Sequence, residues 1–103
     1  MIRRGRFADV VATQLDLFAR EHADLIADCE AAERAYDRAP REEAEERYGD
    51  YVDLVETGTD ELAALRDNYA STLAVEIAVD YEQAFNRAVR RRLPRFGLEI
   101  EDS

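Results

Sequence analysis

Over residues 11–36 the apolar side of the chain recurs at Val11, Leu15, Phe18, His22, Leu25, Cys29, Ala32 and Tyr36, spaced alternately by four and three residues. Such a repeat lays one continuous seam along an α-helix and has no counterpart in the period-two alternation of a strand. Asp9, Asp16, Arg20, Asp24, Asp28 and Arg34 fall between the seam positions and form a solvated face. A helix over 6–38 is therefore predicted, roughly 50 Å long at the α-helical rise. Ala39-Pro40 ends it, because proline lacks the amide donor and drives the residue before it out of the helical region.

A second seam runs through Ala44, Tyr48, Tyr51, Val55, Gly58, Leu62, Leu65 and Tyr69 with the same alternation. Two matched seams joined by a short turn predict a coiled-coil-like helical hairpin. Thr57-Gly58-Thr59-Asp60 has the composition of a helix end and a new cap. The heptad phase nevertheless passes through Gly58 unshifted, which predicts a continuous helix with a weak point there. After Tyr69, apolar residues cover most of the circumference, so 74–92 must be buried on several sides. It would overhang the first helix by ~30 Å. Either it folds back after a kink near Ser71, or a second copy of the chain covers it.

The expected fold is thus all-α, a long antiparallel hairpin of two helices, or three if broken near Gly58 or Ser71. Self-association through Leu73, Ile77, Tyr81 and Phe85 would complete it as a helical bundle. Residues 1–93 are expected to form a single helical domain, in keeping with a length of 103 residues. Beyond Pro94, apolar Phe96, Leu98 and Ile100 alternate with Gly97, Glu99 and Glu101, which predicts an extended tail over 94–103.

Charge narrows the choice of partners. The chain carries 24 acidic residues against 14 basic ones, all arginine, for a net charge of −10. Nucleic acid and anionic lipid are disfavoured by that balance. The charge is also segregated: residues 40–61 hold two arginines and nine acids, whereas Arg87, Arg90, Arg91, Arg92 and Arg95 form a run with no acid among them. Five arginines exceed what the C-terminal dipole of a helix calls for, and they mark an anionic-partner surface. The stretch 73–79 is interrupted by Glu76 and falls well short of the ~20 residues of a membrane span. A single cysteine, Cys29, allows no internal disulfide, and no charged-then-apolar signal segment opens the chain, so a cytoplasmic location is expected.

Few residues offer chemistry. His22, the only histidine, has Phe18, Ala19, Leu25 and Ile26 as its helical neighbours and is read as a seam residue. Cys29 lies seven positions further, ~10 Å along the axis, too far for a thiolate–imidazole pair. Glu76 and Asp80, four apart on the most apolar segment, are the candidate metal ligands if the pair meets its symmetry mate. Glu42, Glu43 and Glu46 form an E-E-x-x-E string that resembles the Mg-binding helix of all-α nucleotide pyrophosphatases. The E-x-x-D pair which that family carries on a later helix has no counterpart within 41–92: three residues after Glu56, Glu61 and Glu76 stand Thr59, Ala64 and Val79. No cofactor is expected. The leading functional expectation is a non-enzymatic helical oligomerisation or protein-interaction module. The alternative is a metal-dependent all-α hydrolase, nucleotide pyrophosphatase-like, using acids of the second helix.

Overall fold

A computed structural model describes residues 5–103, and every regular element among them is helical. Four α-helices follow one another: α1 (Ala8–Glu21), α2 (Ala23–Asp37), α3 (Ala44–Ala70) and α4 (Val75–Arg92). Short 3-10 turns occupy Arg41–Glu43, Pro94–Phe96 and Ile100–Asp102.

The helix expected over 6–38 is divided at His22, whose φ of −113° and ψ of 29° depart from helical values. The hydrogen-bond ladder barely notices: the His22 amide donates to Phe18 O at 2.9 Å, and the Ile26 amide donates to His22 O at 3.0 Å. The division is a bend rather than a loop. On either side of it, α1 lies against α4 while α2 lies against α3.

Pro40 ends the first stretch as expected, and α3 then runs unbroken through Gly58. The α2 and α3 helices are antiparallel, since Tyr36 meets Tyr48 beside the Pro40 turn and His22 meets Glu61 at the other end. A single helix over 41–92 is not formed. Ser71 Oγ donates to Asn68 O and Thr72 Oγ1 to Tyr69 O, both at 2.7 Å, so hydroxyls take carbonyls at the end of α3 and the chain turns. Ala74 is extended (φ −60°, ψ 147°), and α4 starts afresh from it. It returns antiparallel along α3, bringing Tyr81 to Tyr69 and Asn86 to Arg66. The apolar overhang is thereby folded back on its own chain.

The core lies where α1, the C-terminal half of α3, α4 and the tail converge. Leu15, Leu62, Tyr81, Phe85, Val89 and Ile100 are fully buried there. In α2, by contrast, Cys29 alone is buried. The pair of helices around Tyr36 and Tyr48 thus projects as an arm, giving the molecule extents of 51 × 29 × 22 Å.

The tail is not extended. Its two 3-10 turns put Phe96 and Ile100 inside, at 2% and 0% exposure, and leave Leu98 outside at 92%. Phe96 lies on Gly58: a Cβ built there would come within 2.9 Å of three ring atoms, and the edge of Phe18 holds the ring from another side. Gly58 is therefore a socket for Phe96 rather than a helix stop. Arg66, only 4% exposed, secures the rest of the tail. Its guanidinium donates to Asn86 Oδ1 at 3.0 Å, Ile100 O at 2.7 Å, Ser103 O at 2.6 Å and Asp67 Oδ1 at 2.8 Å.

Glycine in a helix interior ordinarily lowers stability relative to alanine, so the two glycines of α3 should respond oppositely to replacement. Gly49 has open space around it, and Gly49→Ala should stabilise by about 0.5–1 kcal/mol. Gly58→Ala should destabilise by about 1–3 kcal/mol through overpacking against Phe96. Urea denaturation of both variants is the test, and equal gains in midpoint would show that Phe96 does not need the socket.

Candidate functional site

Asp80, Gln83, Arg87 and Arg91 recur at steps of three and four, so they share one side of α4. The start of α1 faces that side. Because the adjoining residues on both helices are largely small (Ala8, Ala12, Ala84, Ala88), the two leave a groove of about 470 Å³ between them. Phe7 and Val11 line it with the alanines to give an apolar floor, and Arg6, Arg87, Arg91 and Arg92 stand around it.

The five arginines of the C-terminal run behave differently from one another. Arg90 pairs with Glu101, and Arg92 pairs with Asp16 while also donating to Ala12 O at 3.3 Å, which ties α4 to α1 beside the groove. Arg95 is drawn off to the arm, where it meets Glu33 at 2.8 Å, donates from Nε to the Tyr51 hydroxyl oxygen at 3.2 Å and sits over the Tyr51 ring. Burial opposes its charge, but the Tyr51 oxygen and Glu33 more than compensate and hold its pKa above the ordinary value. Arg87 and Arg91 are exposed and have no hydrogen-bond or ion-pair partner among the described residues. Arg6, which sequence reasoning did not single out, shares this condition on the α1 side. It lies some eighty residues from the run in sequence, and only the packing of α1 on α4 unites them.

The remaining candidates are dispersed. Glu76 is exposed on the first turn of α4, and Asp80 stands at the groove. Glu42, Glu43 and Glu46 are exposed at the start of α3, with Glu43 placed 3.6 Å from Arg47. Among the described residues, no three of His, Cys, Asp and Glu are grouped so as to hold a metal ion. His22 rests its ring on Phe18, with centroids 4.8 Å apart, and approaches the Glu61 carboxylate at 4.0 Å, a cross-helix neighbour that local spacing does not reveal. Cys29 is fully buried; burial raises its thiol pKa, and nearby Arg95 only partly offsets this. Among the described residues, no helix is long and apolar enough to cross a membrane.

Of the residues expected at a self-association surface, Leu73 and Ile77 are half-buried at the edge of the core. Tyr81 and Phe85 are fully buried within the chain itself, so no second copy is needed to cover them. The Tyr81 ring meets Phe7, Tyr69 and Phe85, and its hydroxyl donates to Gln14 Oε1 at 2.8 Å. Burial pushes the Tyr81 pKa up to about 12 from its ordinary value of 10.0. The unfolded chain then loses this proton before the folded chain does, and stability should fall as pH rises from 10 towards 12. Thermal melts of the wild type and Tyr81→Phe over that range should differ in slope, the variant being flatter. Parallel slopes would mean that Tyr81 is not shielded in the core.

Compared with protein-family models, curated proteins and solved structures, the chain finds no match, so the reading of its function rests on the groove.

Proposed function

We propose that the chain is a non-enzymatic helical interaction module that engages an acidic protein segment in the arginine-rimmed groove between α1 and α4. The observation that carries this reading is the state of Arg87 and Arg91. Among the described residues neither has a partner, although Arg90, Arg92 and Arg95 each have one; Arg20, Arg34, Arg38 and Arg41 are unpaired as well, but Arg87 and Arg91 stand with Arg6 around a single groove. Like charges four apart on a helix repel by a few tenths of a kcal/mol, and an incoming carboxylate would relieve that repulsion. Arginine also binds carboxylates through two parallel hydrogen bonds, which favours carboxylate side chains as the recognised groups. The apolar floor adds a place for a hydrophobic side chain next to them.

A protein partner is favoured over nucleic acid by the net charge of −10, which repels an extended polyanion beyond the groove. The hydrolase alternative requires acids gathered on a later helix to complete the string at the start of α3, and no observation favours it.

The test is a fluorescein-labelled peptide in which a leucine is flanked by glutamates, titrated with protein and followed by anisotropy. Binding should weaken as salt rises, because the Debye length shrinks. It should fall at least about tenfold in the Arg87→Ala/Arg91→Ala variant, in line with the loss of two charge-assisted contacts. A peptide that binds the double variant as well as the wild type would overturn the reading.

A further inference from the structure

The groove has a complement elsewhere on the same chain. Leu98 and Glu99 project between two buried anchors, Phe96 and Ile100, and Leu98 is 92% exposed, the highest value among the exposed large apolar residues. The projection is held in shape. Gly97 is packed so closely on Arg90 and Pro94 that a Cβ would meet Arg90 at 3.1 Å, and its amide donates to Pro94 O at 3.0 Å. Glu99 beside Leu98 is exposed, and its carboxylate has no partner among the described residues. The molecule therefore presents an apolar knob whose carboxylate has no partner and, separately, an apolar-floored groove whose guanidiniums have none, among the described residues.

The knob does not reach its own groove. Leu98 and Glu99 are absent from the groove lining, and the tail is fastened to α3 by Phe96 on Gly58 and by Arg66 on Ile100 and Ser103. Entering its own groove would mean leaving both anchors and exposing Ile100. We infer that the groove between α1 and α4 receives the Leu98-Glu99 projection of a second copy of this chain, with Leu98 on the apolar floor and Glu99 between Arg87 and Arg91. This rests on the reading of the groove as a site for acidic segments and names the segment.

Such a contact joins two different surfaces, so each added copy leaves one knob and one groove free. Assembly then grows head to tail, as an open chain or a closed ring, instead of stopping at a symmetric dimer. The contact is small, and small interfaces are weak and transient. Net charge opposes it at low salt, whereas near 0.15 M the repulsion between bodies is screened beyond about 8 Å and the direct contact persists.

Sedimentation velocity at about 0.15 M salt, over a hundredfold range of protein concentration, provides the test. The weight-average mass of the wild type should rise with concentration. Leu98→Ser, which alters an almost fully exposed side chain, and Arg87→Glu/Arg91→Glu should each remain at the monomer mass with unchanged helical circular dichroism. An equimolar mixture of these two variants should form a dimer and nothing larger, because each supplies the surface the other lacks. A wild type that stays monomeric throughout, or a Leu98→Ser chain that assembles like the wild type, overturns the inference. If the labelled acidic peptide still binds the monomeric wild type and not the arginine variant, only the self-contact has failed; if it does not bind either, the groove reading has failed with it.

Discussion

Arg66 is the constraint around which the chain is arranged. A guanidinium at 4% exposure is tolerable only if its donors are occupied, and its acceptors come from Asp67, Asn86, Ile100 and Ser103. Satisfying it therefore requires α4 to have turned back along α3 and the tail to have crossed over both. Among the described residues, no buried polar side-chain atom is left without a partner. The apolar contacts made by Phe96 and Ile100 supply burial, while Arg66 supplies direction, because hydrogen bonds depend on angle as well as distance.

That arrangement also determines which surfaces face outward. With Phe96 on Gly58 and Ile100 in the core, Leu98 has no inward position left and stands in solvent. With α4 turned back, one of its faces contributes Tyr81, Phe85 and Val89 to the core, and the side bearing Arg87 and Arg91 borders α1 across small residues. The bend at His22 matters for the same reason. It brings Phe7 and Val11 alongside α4, where they close the core and floor the groove at once.

The arginines illustrate how composition becomes site. Fourteen arginines among 24 acids would leave few unpaired if pairing were governed by numbers alone. Geometry governs it instead: Arg90, Arg92 and Arg95 point toward the tail, α1 and the arm, each of which offers an acid. Arg87 and Arg91 border a surface floored by phenylalanine, valine and alanine, and have no partner among the described residues. The pairs at exposed positions contribute little stability individually, so their importance here is that they engage Arg90, Arg92 and Arg95 and leave Arg6, Arg87 and Arg91 together at the groove without partners among the described residues.

Several features were legible in the residues. The seams identified the helices, Pro40 identified the turn, and the unshifted phase through Gly58 identified a continuous α3, because heptad spacing is a local property of the helix itself. The density of apolar residues over 74–92 announced burial, but not by what. The bend at His22 left the four-and-three spacing intact and was invisible for that reason. Phe96, Leu98 and Ile100 suggested an extended tail, whereas 3-10 turns place the first and last inside and the middle one outside. Arg66 lies four residues beyond Leu62, on a second buried stripe of α3 shared with Thr59 and Ala63, and an arginine on a helix reads as surface until α4 and the tail cover it. The sequence by itself determined the helical segments and the sign of the charge along them. Tertiary structure alone decided which arginines are neutralised and which face the groove, since that depends on contacts between residues that no local spacing relates.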